Sequence, residues 1–189
     1  MKLKNSQRKR TNIVTELFAG NVEVQYGQAY IELDGSFDGA MDDCFVGQRN
    51  GLCGAQKPAI LFLMTGLHTG IVGITINLFD ADPGIDESWE EIVEVSFQAP
   101  KGGITLLEWA ADEGVGMAVP AGSYRARYQG RAMQAANELN TNIDDIPLDS
   151  YQLDLWPAPS TADHIVKQTS TVAAYWHDWA SRLPLKQKF

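Results

Sequence analysis

The segment AILFLMTGLHTGIVGITINLF, residues 59–79, decides the fold class of this chain. It holds two nearly continuous apolar runs, AILFLMT (59–65) and GIVGITINLF (70–79), joined by a short connection from Gly66 to Gly70. Runs of this length bounded by glycine are typical of strands in the middle of a β-sandwich. They are too short to cross a bilayer, which requires roughly 20 apolar residues.

Alternating segments lie before this pair. NIVTELFA (12–19) and NVEVQYGQAYIEL (21–33) are rich in Val, Ile, Tyr and Phe, with Gly20-Asn21 as the predicted turn between them. In the second segment, Val22, Val24 and Tyr26 are predicted to fall on one face of the strand.

Further short strands follow the central pair, with Gly or Pro between several of them. They are IVEVSFQAP (92–100), GITLLEW (103–109), GMAVP (116–120), SYRARYQ (123–129) and SYQLDLWP (150–157). Many short strands at this spacing indicate antiparallel pairing rather than βαβ units. We therefore predict a mainly β protein, an antiparallel β-sandwich with a C-terminal α-helix packed on it.

Helical patterns occur late in the chain. Residues 130–139 (GRAMQAANEL) favour a short helix within a connection. The longer pattern covers 162–183, where Thr161 or Asp163 can cap the start and Pro184 ends the helix. Its apolar face consists of Ile165, Thr169, Val172, Trp176, Trp179 and Leu183. This spacing predicts that the two tryptophans anchor the helix to the core.

The charge of the chain is divided unevenly. The net charge is −9, but the first ten residues carry +5, so residues 11–189 carry −14. The five basic residues are Lys2, Lys4, Arg8, Lys9 and Arg10. An acidic body disfavours direct nucleic-acid binding and favours a basic protein partner, although acidity also serves solubility alone. We expect a flexible basic tail at 1–11 and one domain at 12–189.

The sequence predicts neither a membrane span nor a signal peptide. The basic N-terminus is not followed by an apolar core, so we expect a cytoplasmic protein without membrane association. In that compartment Cys44 and Cys53 are expected as free thiols, and a bridge between them is the alternative if the protein is exported. Their surroundings lack the additional Cys or His that a zinc site requires.

One stretch imitates the start of a calcium loop. Asp34 to Gly39 (DGSFDG) places oxygen ligands at the first, third and fifth positions and glycine at the sixth. The twelfth position, where calcium loops supply a bidentate Glu, is Phe45. We therefore expect a turn, no metal and no cofactor, with Phe45 buried and with Asp38, Asp42 and Asp43 on the surface.

A second acidic run defines the rest of the candidate surface. Residues 80–94 contain seven carboxylates without Lys or Arg. This favours an exposed loop, either merely solvated or docking a basic protein. The predicted partner-binding residues are Asp38, Asp42, Asp43, Asp82, Asp86, Glu87, Glu90 and Glu91.

No catalytic template matches the chain. It has three histidines, no Gly-x-Ser-x-Gly elbow and no phosphate-binding loop in a strand–turn–helix context. We therefore expect a non-enzymatic protein, with a hydrolase that uses a carboxylate pair as the weakest alternative.

The order of several landmarks resembles a known family. YGQAYIE is followed by an acidic loop, WEEIVEVSFQAPKGGITLLEW, AVPAGSYRARY and DSYQLDLWPAP. Over residues 20–159 this resembles the competence protein J-like family of small bacterial proteins, which is related to a nuclease inhibitor. The resemblance implies a non-enzymatic β-sandwich that neutralises a nuclease or toxin. The basic tail, residues 130–147 and the C-terminal helix lie outside the shared pattern.

A different class of function also fits the composition. A small-ligand or carbohydrate-binding sandwich would use Trp89, Trp109 or Trp156 as an exposed stacking platform. Exposure of these rings distinguishes this alternative from a protein inhibitor.

Overall fold

The computed structural model describes residues 12–32, 40–108, 114–144 and 146–185. Of these residues 46% are in strands and 14% in helices, so the chain is mainly β, as predicted. The strands are β1 (Val14–Gln25), β2 (Gln28–Glu32), β3 (Cys53–Gly54), β4 (Leu61–Met64), β5 (Thr69–Phe79), β6 (Glu91–Ala99), β7 (Ile104–Leu107), β8 (Val115–Met117), β9 (Gly122–Arg131), β10 (Thr141–Asn142), β11 (Ser150–Pro157) and β12 (His164–Lys167). The helices are α1 (Met41–Phe45), α2 (Met133–Leu139) and α3 (Thr171–Ser181).

The strands form one continuous sheet, in contrast to the predicted sandwich. Its main order is β12-β6-β9-β11-β5-β1-β2-β4-β3, with β10 joined to β5, and β7 joined to β2 and β8. The sheet curls into a half-barrel. Tyr128 of β9 donates a hydrogen bond to the carbonyl oxygen of Met64 in β4 at 3.0 Å, although these strands are far apart in the order. One twisted sheet therefore folds over its own core.

The pairing is also not wholly antiparallel. β11 lies parallel to β5, with Leu153 opposite Ile76, and antiparallel to β9 on its other side. A parallel pair needs a long connection, which the chain between Phe79 and Ser150 supplies.

The first hairpin turns later than predicted. β1 runs through Gly20-Asn21 without interruption, because Gly20 is paired with Ile74 in a long ladder with β5. The turn is Tyr26-Gly27, with φ of 58° and 65°. Two positive φ values form the two-residue turn that matches the twist of a hairpin.

Alternation along β9 separates two environments. Ala126 and Tyr128 face the apolar core, whereas Arg125, Arg127 and Gln129 lie on the outer face of the sheet. The outer residues are nevertheless at most 7% exposed. Another part of the chain must therefore cover the outer face of β9.

The core receives Phe45, as predicted. Phe45 is fully buried at the end of α1, and its ring packs edge to face against Phe62 and Trp179 at centroid distances of 5.6 and 5.4 Å. Burial of such a side chain contributes about 1.5–3 kcal/mol. Cys44 beside it and Cys53 in β3 are both fully buried, and no disulfide joins them.

The predicted helix at 162–183 divides into a strand and a shorter helix. His164–Lys167 form β12 and pair with Ile92–Glu94 of β6. α3 begins only after Ser170, whose hydroxyl caps it by accepting from the Ala173 N–H at 3.1 Å. Within α3, Trp176 and Trp179 are packed against the core as predicted. The predicted helix at 130–139 is present as α2.

Several predictions fall on residues outside the described ranges. They concern the basic tail, the turn with Asp34, Ser36 and Asp38, and Trp109. Among the residues that are described, no helix is long and apolar enough to cross a membrane.

Candidate functional site

The candidate site is the connection between β5 and β6, residues 80–90, here called the acidic loop. Its backbone is held against the outer face of β9, while most of its residues remain exposed. At its start, Asn12 donates to the carbonyl oxygens of Ala81 and Asp82 at 3.3 and 2.7 Å. Asp80 accepts from the Ile13 N–H at 3.0 Å. These contacts join the loop to the beginning of β1.

Arg127 of β9 is the central anchor of the acidic loop. Its guanidinium donates to Glu94 at 2.7 and 2.9 Å, to Asp82 at 3.1 Å and to the carbonyl oxygen of Gly84. It also lies 4.8 Å from the centroid of the Trp156 ring. The Arg127 side chain is only 2% exposed, and burial of a charge requires such a set of partners. The middle of the loop is thereby fixed to the sheet.

Two further cations hold the second half of the loop. Arg131 donates to the carbonyl and hydroxyl oxygens of Ser88 and lies 4.2 Å from the Trp89 ring centroid. Lys167 of β12 donates to the carbonyl oxygens of Glu87 and Trp89, each at 2.7 Å. Because both cations bind main-chain oxygens, they fix the path of the loop. Arg131 also lies 4.0 Å from a carboxylate oxygen of Asp86, and Lys167 lies 3.9 Å from one of Glu87.

Glu90 and Glu91, where the acidic loop meets β6, have structural roles. Glu90 accepts from the Ala132 N–H at 2.8 Å, at the start of α2. Glu91 is 1% exposed. Its carboxylate accepts hydrogen bonds from the Thr169 N–H at 3.1 Å, from the Ser170 N–H at 2.7 Å and from the Thr169 hydroxyl at 2.9 Å. The expected exposure of Glu91 is therefore wrong: this carboxylate is buried where the chain enters α3.

Three side chains of the loop keep their carboxylates in contact with solvent. The exposed fractions of the Asp82, Asp86 and Glu87 side chains are 59%, 63% and 81%. Asp86 accepts from the Ser88 N–H at 2.9 Å. Hydrogen bonding from Ser88, with smaller contributions from Arg131 and Lys167, lowers the pKa of Asp86. Its negative charge is therefore maintained.

The remaining predicted site residues are elsewhere. Asp42 is exposed and Asp43 half-buried in α1, which packs on β3 and β4. Asp38 lies outside the described ranges. The structure thus brings together Asp82, Asp86, Glu87 and Glu90 in one loop.

Sequence reasoning missed the cations that organise this loop. The run 80–94 contains no basic residue, but Arg127, Arg131 and Lys167 reach it from β9 and β12. The signal in the sequence was the spacing of Arg125, Arg127 and Arg131, which places all three on one face of a strand. When one strand carries alternating basic residues and another part of the same chain carries an acidic run, the two are candidates for pairing within the fold.

A second polar cluster extends the outer face toward β5. Asp154 is 3% exposed and accepts from Asn77 at 2.9 Å, Gln129 at 3.0 Å and Gln152 at 2.9 Å. Every donor is a neutral amide, so this buried carboxylate is satisfied by hydrogen bonds alone. The cluster joins β5, β9 and β11 through side chains on their outer face.

The described residues contain no cluster of side chains suited to binding a metal ion. No group of three or more His, Cys, Asp or Glu residues could hold a metal among them. His177 is 6% exposed, and its Nδ1 accepts from the Gly51 N–H at 3.0 Å. Burial lowers the pKa of His177 to about 4. Its neutral imidazole therefore supports a backbone contact.

The tryptophans offer little support for a stacking platform. Trp89 is 7% and Trp156 6% exposed, and each lies beneath an arginine of β9. Trp176 and Trp179 are half-buried against the core. An open aromatic surface for sugars or other flat ligands is therefore lacking among the four tryptophans that the structure describes.

These features define a small mainly β protein, a curled half-barrel with an acidic loop fixed on the outer face of its sheet. Solved structures with this architecture include ComJ from Bacillus subtilis, described as an inhibitor of the DNA-degrading activity of NucA. The match has a TM-score of 0.51 and 14% sequence identity, covering 77% of this chain and 99% of ComJ. It shows that the chain has a ComJ-like fold, as the sequence resemblance implied.

A second structure, described as crocagin biosynthetic gene J, matches at a TM-score of 0.48 and 15% identity. It covers 79% of this chain and 99% of that one. No protein-family model matches the sequence, and no curated protein matches it.

Proposed function

We propose that this chain is a non-enzymatic inhibitor or immunity protein that binds a basic nuclease or toxin. The observation that carries the proposal is the acidic loop, in which exposed carboxylates project from a backbone held by the buried Arg127 and by the partly exposed Arg131 and Lys167. A surface that is already ordered loses little conformational freedom on binding. The ComJ-like fold supports the proposal, because ComJ inhibits a nuclease.

The acidic loop suits a basic cleft for an electrostatic reason. Carboxylates at Asp82, Asp86 and Glu87 can occupy positions that phosphates would take in a nuclease. Complementary charge speeds encounter and selects partners more than it increases final affinity. Glu90 contributes charge at the end of the same loop. Asp38, Asp42 and Asp43 are also included among the proposed partner-binding residues, of which Asp42 and Asp43 lie in α1.

The experiment is an inhibition assay with nucleases or toxins encoded beside this gene. The protein is titrated against each enzyme, and inhibition and association rate are measured for the wild type and for Asp86→Asn/Glu87→Gln. We expect the double variant to associate roughly threefold to tenfold more slowly at low salt, because two exposed charges are lost. Its dissociation rate should change less.

Glu138→Gln is the matched control. Glu138 is exposed on α2, outside the acidic loop, so its neutralisation should leave association unchanged. Full enzyme activity at saturating protein would reject the tested partner. Equal effects of the double variant and the control would remove the acidic loop from the interface.

A further inference from the structure

A strand edge is left open where the two ends of the curled sheet meet. β6 pairs with β9 along its whole length, from Glu91 opposite Gly130 to Ala99 opposite Gly122. On its other side β6 pairs with β12 only over Ile92–Glu94. Residues 95–99 of β6 therefore have no strand partner on that side among the described residues.

The hydrogen-bonding register shows which groups face the open side. Ala158 donates to the carbonyl oxygen of Ser123 at 3.1 Å, so odd-numbered residues of β9 bond toward β11. The main-chain N–H and C=O groups of successive residues point to alternate sides of a strand, so those of the even-numbered residues of β9 point toward β6. There they bond to the odd-numbered residues of β6, such as Val95 and Phe97. The main-chain N–H and C=O groups of Ser96 and Gln98 consequently point away from β9.

Those main-chain groups are unpaired within the described part of the chain. No backbone hydrogen bond reaches Ser96 or Gln98 from the side of β12. The Ser96 hydroxyl does bond to the N–H and C=O of Thr161, each at 2.9 Å, but this contact uses the side chain alone.

The unpaired edge borders a groove. Two adjoining cavities of about 240 and 300 Å³ share Ala55, Gln56, Ser96 and Ser160 in their linings. Residues 55–59, which follow β3, line one side, and residues 160–163 line another. The groove is therefore the seam between β3 and β6, close to the two ends of the half-barrel.

We propose that this groove binds an extended segment of a partner polypeptide, which adds a strand to β6 by pairing with Ser96 and Gln98. A row of free main-chain donors and acceptors is complementary to another strand along its length. The sequence of 95–99, VSFQA, contains no charge or proline that would block such pairing. This site is separate from the acidic loop and does not depend on the proposed function.

The lining of the groove favours a single peptide strand over other occupants. Lys57 and Asp163 are the charged residues among the described lining, so the groove does not select a strongly charged ligand. Asp163 already accepts from the N–H groups of Arg49 and Asn50, each at 2.7 Å. In a second copy of this chain the edge of β6 would lie in the same groove, between residues 55–59 and 160–163. Two such edges could not easily come close enough to pair with each other.

The test uses the full chain and a displayed library of random linear peptides of about ten residues. Selected peptides are measured against the wild type, Gln98→Pro and the matched control Gln98→Ala. Proline removes the N–H that an added strand needs, yet this N–H makes no bond within the described part of the fold. We expect Gln98→Pro to weaken binding about tenfold or more and Gln98→Ala to change it less than about threefold.

Hydrogen exchange provides a second readout that does not require a variant. In the free protein, the Ser96 and Gln98 amides should exchange much faster than the paired amides of Val95 and Phe97. Bound peptide should slow exchange at Ser96 and Gln98 specifically.

Three outcomes would overturn the proposal. The first is equal protection of all four amides in the free protein, and the second is a selection that yields no peptide sensitive to Gln98→Pro. The third is a wild-type dimer, detected by sedimentation, that Gln98→Pro dissociates, because the occupant would then be a second copy. Asp86→Asn/Glu87→Gln should leave peptide binding unchanged, which separates this site from the acidic loop.

Discussion

Arg127 joins the fold to the candidate site through a single buried side chain. It neutralises Glu94 and Asp82 and binds the carbonyl oxygen of Gly84, so the acidic loop and the outer face of β9 share one charged centre. A buried ion pair adds little net stability compared with apolar packing, but removal of one partner leaves the other uncompensated. The geometry of the loop should therefore depend on Arg127 more than on its own carboxylates.

Arg127→Met should lower the free energy of unfolding by about 1.5–3 kcal/mol, because the loop loses its central charged hydrogen bonds while Glu94 keeps Arg125 at 3.1 Å. Urea denaturation measures the effect. The matched control is Arg131→Met, since the Arg131 side chain is 42% exposed and its loss should cost about 1 kcal/mol or less. Equal costs for the two variants would contradict the central role of Arg127.

His177 should make stability depend on pH. Burial holds its folded pKa at about 4, whereas the unfolded chain has the ordinary value of 6.5, so unfolding takes up a proton between these values. Stability conferred by neutral His177 is complete above pH 6.5 and is lost as the pH falls toward 4. The slope reaches about 1.4 kcal/mol per pH unit.

Unfolding curves between pH 4 and 7 test this dependence. His177→Asn keeps an acceptor for the Gly51 N–H but cannot titrate, so it should flatten the slope in this window. The exposed His164 provides the control, and His164→Asn should retain the slope of the wild type. An unchanged slope in His177→Asn would show that another group carries the pH dependence.

Single residues were predictable from sequence only where local pattern decided their environment. Phe45 was correctly placed in the core. It stands where a calcium loop needs a glutamate, and a bulky apolar side chain at that position is stabilised by burial. Glu91 was wrongly placed on the surface, since its neighbours in sequence are acidic and exposed. Its burial follows from Thr169 and Ser170, which are distant in sequence and meet it only through the pairing of β12 with β6.

At the scale of elements, the β1–β2 hairpin depends on a turn that L-residues rarely adopt. Gly27 has a φ of 65°, and a Cβ atom there would lie 3.3 Å from the Thr65 carbonyl oxygen. Gly27→Ala should destabilise the protein by about 1–2 kcal/mol through backbone strain, with a further contribution from this close contact. Thermal or urea unfolding measures the loss.

Gly116 in β8 is the control for this prediction. A Cβ atom at Gly116 would meet open space, and the residue does not adopt a positive φ, so Gly116→Ala should be neutral or slightly stabilising. A similar loss in both variants would indicate a general intolerance of alanine and not strain at the turn.

The division of the predicted C-terminal helix shows how tertiary pairing overrides periodicity. Ile165 and Thr169 fit the helical spacing of the residues that follow, but the segment 164–167 meets the open side of β6 and becomes a strand. Ser170 then provides a new cap, and α3 retains only the part of the pattern from Thr171 onward. The strand His164–Lys167 has only four residues, which is too short for its sequence to predict a strand against the helical spacing around it.

At the scale of the whole molecule, the sequence indicated the strands but not how the sheet closes. A sandwich and a curled half-barrel both require short strands with apolar residues on one face, so alternation cannot distinguish them. The distinction lies in long-range pairings such as β11 with β5, and in contacts across the core such as Tyr128 with Met64. Closure also determines that the acidic loop lies on the outer face and that a groove remains beside β6.

The uneven charge of the chain gives the last prediction. Because the first ten residues carry +5, replacement of Lys2, Lys4, Arg8, Lys9 and Arg10 by glutamine changes the net charge from −9 to −14. If a basic partner is attracted by the field of the acidic body, the change should accelerate association about twofold to fivefold at low ionic strength. The acceleration should disappear near 0.5 M salt, where screening shortens the range of the field to about 4 Å.

Stopped-flow association with an enzyme that the protein inhibits measures both effects, and the wild type over the same salt series is the control. Slower association of the variant at low salt would mean that the basic residues themselves contact the partner, in which case attraction by the acidic body would not govern the encounter.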